Sequence, residues 1–290
     1  MILSISGGKG GTGKSTVAVN IAIELARYRD LRLGDLDVEA PNDHILLGVE
    51  LDNEEPIKLM YPHIIYDNCI KCGACGRVCD TGAMIISREG LPLLLPRLCS
   101  GCRACYLVCP TEAILEGERV VGYTYESLVK MDDVSFNLVT GVMFEGEEHT
   151  PPIVKKAKER LFRVKSDIYI IDTSAGTGNH VSIAIDRSDL LIAVTEPTPL
   201  GLHDLEMILE VADELGLEKW IVINRYGLGS IDKHLDLAKK YRVDQVFKIP
   251  YSKVIFESYV KGKPIVLYRR DSEEALSFIN IVDKIKEVYL

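Results

Sequence analysis

All eight cysteines of this 290-residue chain lie between residues 69 and 109, in two copies of one spacing. Cys69, Cys72, Cys75 and Cys79 read C-x2-C-x2-C-x3-C, and Cys99, Cys102, Cys105 and Cys109 read the same, followed by Pro110. Each run offers three thiolates on a tight loop and a fourth a turn later. Thiols so placed could form disulfides, hold zinc or hold iron–sulfur clusters. Disulfides need an oxidising compartment, and no signal peptide precedes the sequence, so a reducing, cytoplasmic setting is expected. Zinc sites usually use cysteine pairs separated by a longer loop. Iron–sulfur ligation fits the spacing. The repeat also extends beyond the sulfurs. At a constant offset of thirty, Ala74 matches Ala104, Val78 matches Val108, Thr81 matches Thr111 and Ala83 matches Ala113. Asp80 stands where Pro110 follows the second run, at a position that does not bind iron.

This spacing resembles that of two-cluster bacterial ferredoxins, in which the fourth cysteine of each run serves the other run's cluster. The resemblance implies one [4Fe–4S] cluster on Cys69, Cys72, Cys75 and Cys109, and a second on Cys99, Cys102, Cys105 and Cys79.

A second signal opens the chain. Ile2 to Ser6 suits a buried strand, and a helical pattern runs from Thr16 to about Tyr28. Between them lies Gly8-Lys9-Gly10-Gly11-Thr12-Gly13-Lys14-Ser15. Strand, glycine-rich loop and helix give G-x-x-x-x-G-K-[ST] the context of a phosphate site. Glycines let backbone N–H groups turn toward phosphates, and the helix N-terminus, from Ser15 and Thr16, adds its dipole. Lys14 would reach the β- and γ-phosphates of ATP, and the Ser15 hydroxyl would sit on Mg2+.

Lys9, just after the first glycine, makes the loop resemble the deviant Walker A sequence of the MinD/ParA/Mrp branch of P-loop ATPases. That resemblance implies a slow ATPase that forms an ATP-dependent homodimer, with Lys9 reaching the partner's nucleotide. Asp35-Leu36-Asp37 resembles the first switch, Asp37 orienting water and Asp35 lying nearer Mg2+. Ile168 to Asp172 resembles a Walker B strand whose carboxylate also serves Mg2+, and Gly176 matches the glycine of the second switch. Asn224 and Pro250 match the positions that surround adenine. Lys9, Lys14, Asp37 and Asp172 are thus the expected catalytic set. Family members that share a cluster across the dimer use cysteines in the later half of the domain. No cysteine follows Cys109, which argues against a bridging cluster.

Strand–helix alternation predicts an α/β fold with a mostly parallel sheet covered on both faces. Expected strands are 2–6, 31–36, 167–172, 189–195, 219–224 and 245–249; expected helices are 15–28, 152–163, 201–215, 232–241 and 273–289. The organisation reads as an ATPase domain over 1–62 and 118–290, with a ferredoxin module inserted at 63–117. Within 118–150, Phe136 to Phe144 reads as a hairpin turning at Thr140-Gly141. The chain is 47% hydrophobic and 27% charged, enough apolar residue for a sizeable core. Its net charge of −9 argues against nonspecific nucleic-acid binding. No apolar run reaches the length of a membrane span. The final helix pairs Leu276, Ile279, Val282 and Ile285 with mixed charges, and is expected to pack on the sheet rather than on a membrane. The six histidines show no metal spacing.

Together these signals point to an iron–sulfur ATPase, with ATP-gated electron transfer to an unidentified redox protein as the first reading. The alternatives are a cluster carrier or assembly ATPase acting on an apo-iron–sulfur protein, and a positioning ATPase whose clusters sense redox state.

Overall fold

The computed structural model describes residues 1–290. In chain order the first elements are β1 (Ile2–Gly7), α1 (Lys14–Ala26), β2 (Leu31–Leu36), α2 (Asp43–Leu46) and β3 (Glu55–Ile64). Then come α3 (Ala74–Val78), β4 (Met84–Ile86), β5 (Pro92–Leu94), α4 (Ala104–Leu107), β6 (Ile114–Met131) and β7 (Val134–Met143). The rest are α5 (Thr150–Leu161), β8 (Ile168–Ala175), α6 (Asn179–Ile185), β9 (Leu190–Thr195), α7 (Pro199–Glu214), β10 (Glu218–Tyr226), α8 (Asp232–Lys240), β11 (Val246–Pro250), α9 (Lys253–Val260), α10 (Ile265–Tyr268) and α11 (Glu273–Tyr289). They fall into two compact units. The first is Met1–Glu54, Thr124–Val142 and Val154–Leu290; the second is Glu55–Tyr123 with Met143–Ile153.

The first unit is an α/β fold built on the strand order β11-β10-β9-β1-β8-β2-β7-β6. From β11 to β7 every neighbouring pair is parallel. Both faces of the sheet are covered, so its strands are continuous apolar runs. The two-residue period of a strand then sorts side chains into two cores. Leu190, Ile192 and Val194 join α1 and α11 in one core, with Val17, Ile21, Phe278 and Ile281. Leu191 and Ala193 join α7 and α8 in the other, with Leu205, Ile208, Leu209 and Leu237. On α11 the buried seam is Ala275, Phe278, Ile281, Val282 and Ile285; it keeps the predicted Val282 and Ile285, but Ala275 and Phe278 are buried where Leu276, 46% exposed, and Ile279 were expected. No helix is long and apolar enough to cross a membrane.

The expected hairpin at Thr140-Gly141 is corrected. β7 runs unbroken through both residues, and the chain reverses at Asp132-Asp133, where Asp132 takes φ 48°. Gly141 is there for packing: a Cβ would lie 2.6 Å from Val38 Cγ1 and 2.9 Å from Ala157 Cβ.

In the second unit the thirty-residue repeat is carried by the backbone. A 3-10 turn, Tyr66–Asn68 in one copy and Pro96–Leu98 in the other, leads to the first cysteine of each run. The short helices α3 and α4 follow the second cysteine of each. Both loops take left-handed conformations at the same two positions, Lys71 and Gly73 in the first and Gly101 and Arg103 in the second. Strands β4 and β5 pair antiparallel between the runs. Cys75, Met84 and Ile114 form a small core, flanked by Ile64 and Leu94.

Candidate functional site

The phosphate loop leaves β1 and turns into α1. Gly11 and Gly13 take φ 81° and 94°, left-handed values that a side chain disfavours. Gly13 is doubly constrained, because a Cβ there would lie 2.3 Å from Asn224 Nδ2. That amide donates to Thr12 O at 2.7 Å, which ties the end of β10 to the loop. Lys14 is buried, its ammonium 3.4 Å from Lys9 O. No α1 residue caps the first turn by a side chain, so the helix N-terminus is left to a ligand.

Beside the loop stand the carboxylates of β2 and β8. Ser15 Oγ donates to Asp172 Oδ2 at 2.6 Å. Asp35 accepts from the backbone N–H groups of Asp37 (3.2 Å), Asn42 (2.8 Å) and Asp43 (3.0 Å). Asp35, Asp43 and Asp172 are all buried and offer ligand oxygens within 4.8 Å of one another, a set that could hold a divalent cation. Asp43 was not foreseen from sequence. It is 0% exposed, and neither of its carboxylate oxygens has a donor. Asp172 Oδ1 likewise has none.

Burial pushes Asp35 well above the usual carboxylate range, and the charge of Asp172 adds to it. Burial does the same to Asp43, with the charge of Asp35 adding. Asp172 is pushed up to about 7 by burial, against the Ser15 hydrogen bond and the Lys14 charge. Asp37, partly exposed, is raised by burial and restrained by Lys14. Four acids with little water and one lysine make a site that lacks positive charge.

Gly176, at φ 99°, donates its N–H to Gly7 O at 3.2 Å, so the loop after β8 touches the strand before the phosphate loop. Gly8 and Gly10 stand on that loop, with Gly8 packed so closely on Asp204 that a Cβ would lie 2.3 Å from its Cβ. Thr16 follows Ser15 on α1 and accepts from Asn20 Nδ2 at 2.8 Å. Pro250 ends β11, paired with Tyr226, apart from these contacts.

The second unit gathers the cysteines in two hollows. Cys69, Cys72, Cys75 and Cys109 line one, with Gly90, Pro92 and Ile114. Cys79, Cys99, Cys102 and Cys105 line the other, with Met60, Pro62 and Leu94. All eight are free thiols. Burial raises Cys75 and Cys99, and pushes Cys105 up to about 11. Burial also opposes the thiolate of Cys79, but the Thr81 hydroxyl and the Met84 N–H, 3.3 Å from the sulfur, bring it below the usual value. At Cys109 burial is again outweighed, by the backbone N–H groups of Thr111, Ala113 and Ile114 and the Thr111 hydroxyl. Four converging sulfurs, mainly apolar neighbours and N–H groups aimed at sulfur are a donor set that suits a metal cluster.

Comparison with known proteins follows this geometry. The chain is 34% identical over 269 residues to an uncharacterized protein of Methanocaldococcus jannaschii, covering 92% of each. It is 23% identical to an iron-sulfur cluster carrier protein of Aquifex aeolicus, across 99% of this chain and 67% of that one. Its fold matches that of the septum site-determining protein MinD of Pyrococcus horikoshii, solved with Mg-ADP, at a TM-score of 0.62 and 22% identity, covering 99% of this chain and 96% of that one. The sequence pattern of the CobQ/CobB/MinD/ParA nucleotide binding domain matches residues 3–265, and the chain belongs to that family.

Proposed function

We propose that this chain is an iron–sulfur ATPase of the MinD type that binds Mg·ATP at the loop Gly8–Thr16 and couples nucleotide state to two [4Fe–4S] clusters for electron transfer. The observation that carries the reading is the gathering of eight free cysteines into two four-sulfur hollows, in a unit whose main segment is inserted between β2 and β8. When bound, each cluster would take up and return one electron. The remaining chemistry belongs to the chain's own residues. The phosphate-loop N–H groups cradle the phosphates and Lys14 reaches the terminal ones. Ser15, Asp35, Asp37 and Asp172 would hold Mg2+, which would supply the positive charge that the buried carboxylates lack. Asp37 orients the attacking water, Gly176 reports the γ-phosphate, and Asn224 and Pro250 border the base. Lys9 acts on the nucleotide of a second subunit, which makes hydrolysis slow until a homodimer forms.

The cluster unit is inserted in the chain between Asp37 and Asp172, two residues expected to sense the γ-phosphate, so its covalent roots lie between them. A second reading, delivery of clusters to an apo-protein, is favoured by the relatives named iron-sulfur cluster carrier proteins. Four cysteines in each hollow, a full ligand set for one cluster, support electron transfer over delivery.

Nucleotide binding and turnover test the proposal. Lys14→Ala should abolish ATP binding. Lys9→Ala should bind ATP but neither dimerise nor hydrolyse it. Lys9→Ala protein that hydrolyses ATP like the parent would contradict the cross-subunit role, and unimpaired binding by Lys14→Ala would contradict the phosphate site.

A further inference from the structure

Glu196, one residue past β9, reaches the phosphate loop with one carboxylate oxygen and the end of β10 with the other. Oε1 stands 2.6 Å from Lys9 Nζ, and Oε2 stands 2.7 Å from Arg225 Nη1. Arg225 in turn gives Nη2 to Gly11 O at 2.8 Å. The Glu196 side chain is 8% exposed and that of Lys9 30%, so the pair is partly desolvated. Glu196 is also fixed from behind. Thr198 Oγ1 donates to Oε1 at 3.3 Å, Thr198 N–H donates to its carbonyl at 2.8 Å, and His234 Nε2 lies 3.1 Å from that carbonyl. Burial opposes the charged form of Glu196, but the Lys9 hydrogen bond and charge, with Arg225, prevail and hold it below the usual carboxylate range. The lysine expected to serve a second subunit is therefore folded back on its own chain.

Resting on the dimeric-ATPase reading above, we propose that Glu196 is a positioning residue that parks Lys9 in cis and so sets the threshold for ATP-driven dimerisation. The chemistry of release is built into the geometry. Breaking one partner from a buried ion pair is costly because it strands a charge. Glu196 holds two cations on separate oxygens, so Arg225 still neutralises it after Lys9 leaves. A partner's nucleotide phosphate, more highly charged than one carboxylate, is the group that can draw the lysine away.

Two readouts test this. The first uses no nucleotide. A small N-hydroxysuccinimide ester acetylates accessible amines, and peptide mass spectrometry compares Lys9 with the remote Lys233 and Lys284. Glu196→Gln should raise Lys9 labelling severalfold and leave the reference lysines unchanged. The second is light scattering of the cluster-loaded protein against ATP concentration. Glu196→Gln should lower the ATP needed for half-maximal dimerisation by about fivefold, the worth of one partly exposed ion pair. Arg225→Gln leaves Glu196 with Lys9 alone and should move both readouts the opposite way. Unchanged Lys9 labelling in Glu196→Gln overturns the proposal, as does freer labelling without easier dimerisation. A shift of both variants in one direction also overturns it, since that reports only a loosened loop. If neither parent nor variant dimerises with ATP, the dimer reading fails and the gate fails with it. If the parent dimerises and Glu196→Gln does not differ, the gate alone fails.

Discussion

Removing Cys109 should empty the hollow of the other cysteine run and leave its own run loaded. Cys109 lines one hollow with Cys69, Cys72 and Cys75, and Cys79 lines the other with Cys99, Cys102 and Cys105. At four iron atoms per hollow, anaerobically purified protein should hold about eight per chain, and Cys109→Ala about four. Single variants do not reveal which cluster is lost, but pairs do. Cys69→Ala with Cys109→Ala strikes one hollow twice and should still leave about four iron atoms. Cys99→Ala with Cys109→Ala strikes both hollows and should leave none. Iron determination and visible absorbance read the result. Alanine is chosen because a serine hydroxyl could substitute as a ligand. The opposite pattern, about four iron atoms with Cys99 and Cys109 removed and none with Cys69 and Cys109 removed, would refute the crossed arrangement. Stoichiometric zinc in the parent would refute the clusters altogether.

Three further outcomes follow from the packing and the charges. Asp43 is fully buried with no donor beside Asp35 and Asp172, so Asp43→Asn should stabilise nucleotide-free, metal-free protein by about 1–2 kcal/mol. Because the folded pKa of Asp43 is raised, the native state binds the extra proton and stability falls as pH rises; the gain in thermal midpoint should therefore grow toward alkaline pH, and a loss there would contradict it. Gly141→Ala places a methyl 2.6 Å from Val38 Cγ1 and should cost about 1–3 kcal/mol in denaturant unfolding, an unchanged midpoint being the contrary result. Burial opposes the charge of Glu147, but Arg119 at 2.6 Å and the N–H groups of His149 and Glu148 hold it below the ordinary value. Its contribution is present above the usual carboxylate range and lost as pH falls through the lowered pKa, so Glu147→Gln should flatten the acid limb of the stability curve.

The features readable in the sequence are those fixed by local chemistry. Glycines and Lys14 between a strand and a helix specify the loop, and the thirty-residue repeat appears in matched turns and left-handed positions. Buried parallel strands declare themselves as apolar runs. What escaped depends on distant contacts. Asp43 becomes a member of the acidic set only because α2 folds back on Asp35. The pairing of Glu196 with Lys9 and Arg225 joins three segments with no common motif. Gly141 resembled a turn residue, yet it is a strand residue whose missing side chain admits Val38 and Ala157. The reversal at Asp132-Asp133 lacks the glycine that marks most two-residue hairpins.

The central claim is that nucleotide state and cluster state are coupled. The midpoint potentials of the two clusters, titrated anaerobically with and without a non-hydrolysable ATP analogue, test it most directly. Potential follows net charge, hydrogen bonds to sulfur and exposure, any of which a nucleotide-driven change would alter. Linkage makes the effect reciprocal, so reduced and oxidised protein should also bind the analogue with different affinity. The account predicts a shift in at least one potential with iron retained on the chain. Equal potentials in both states, together with ATP-stimulated loss of iron to an apo-acceptor, would contradict it.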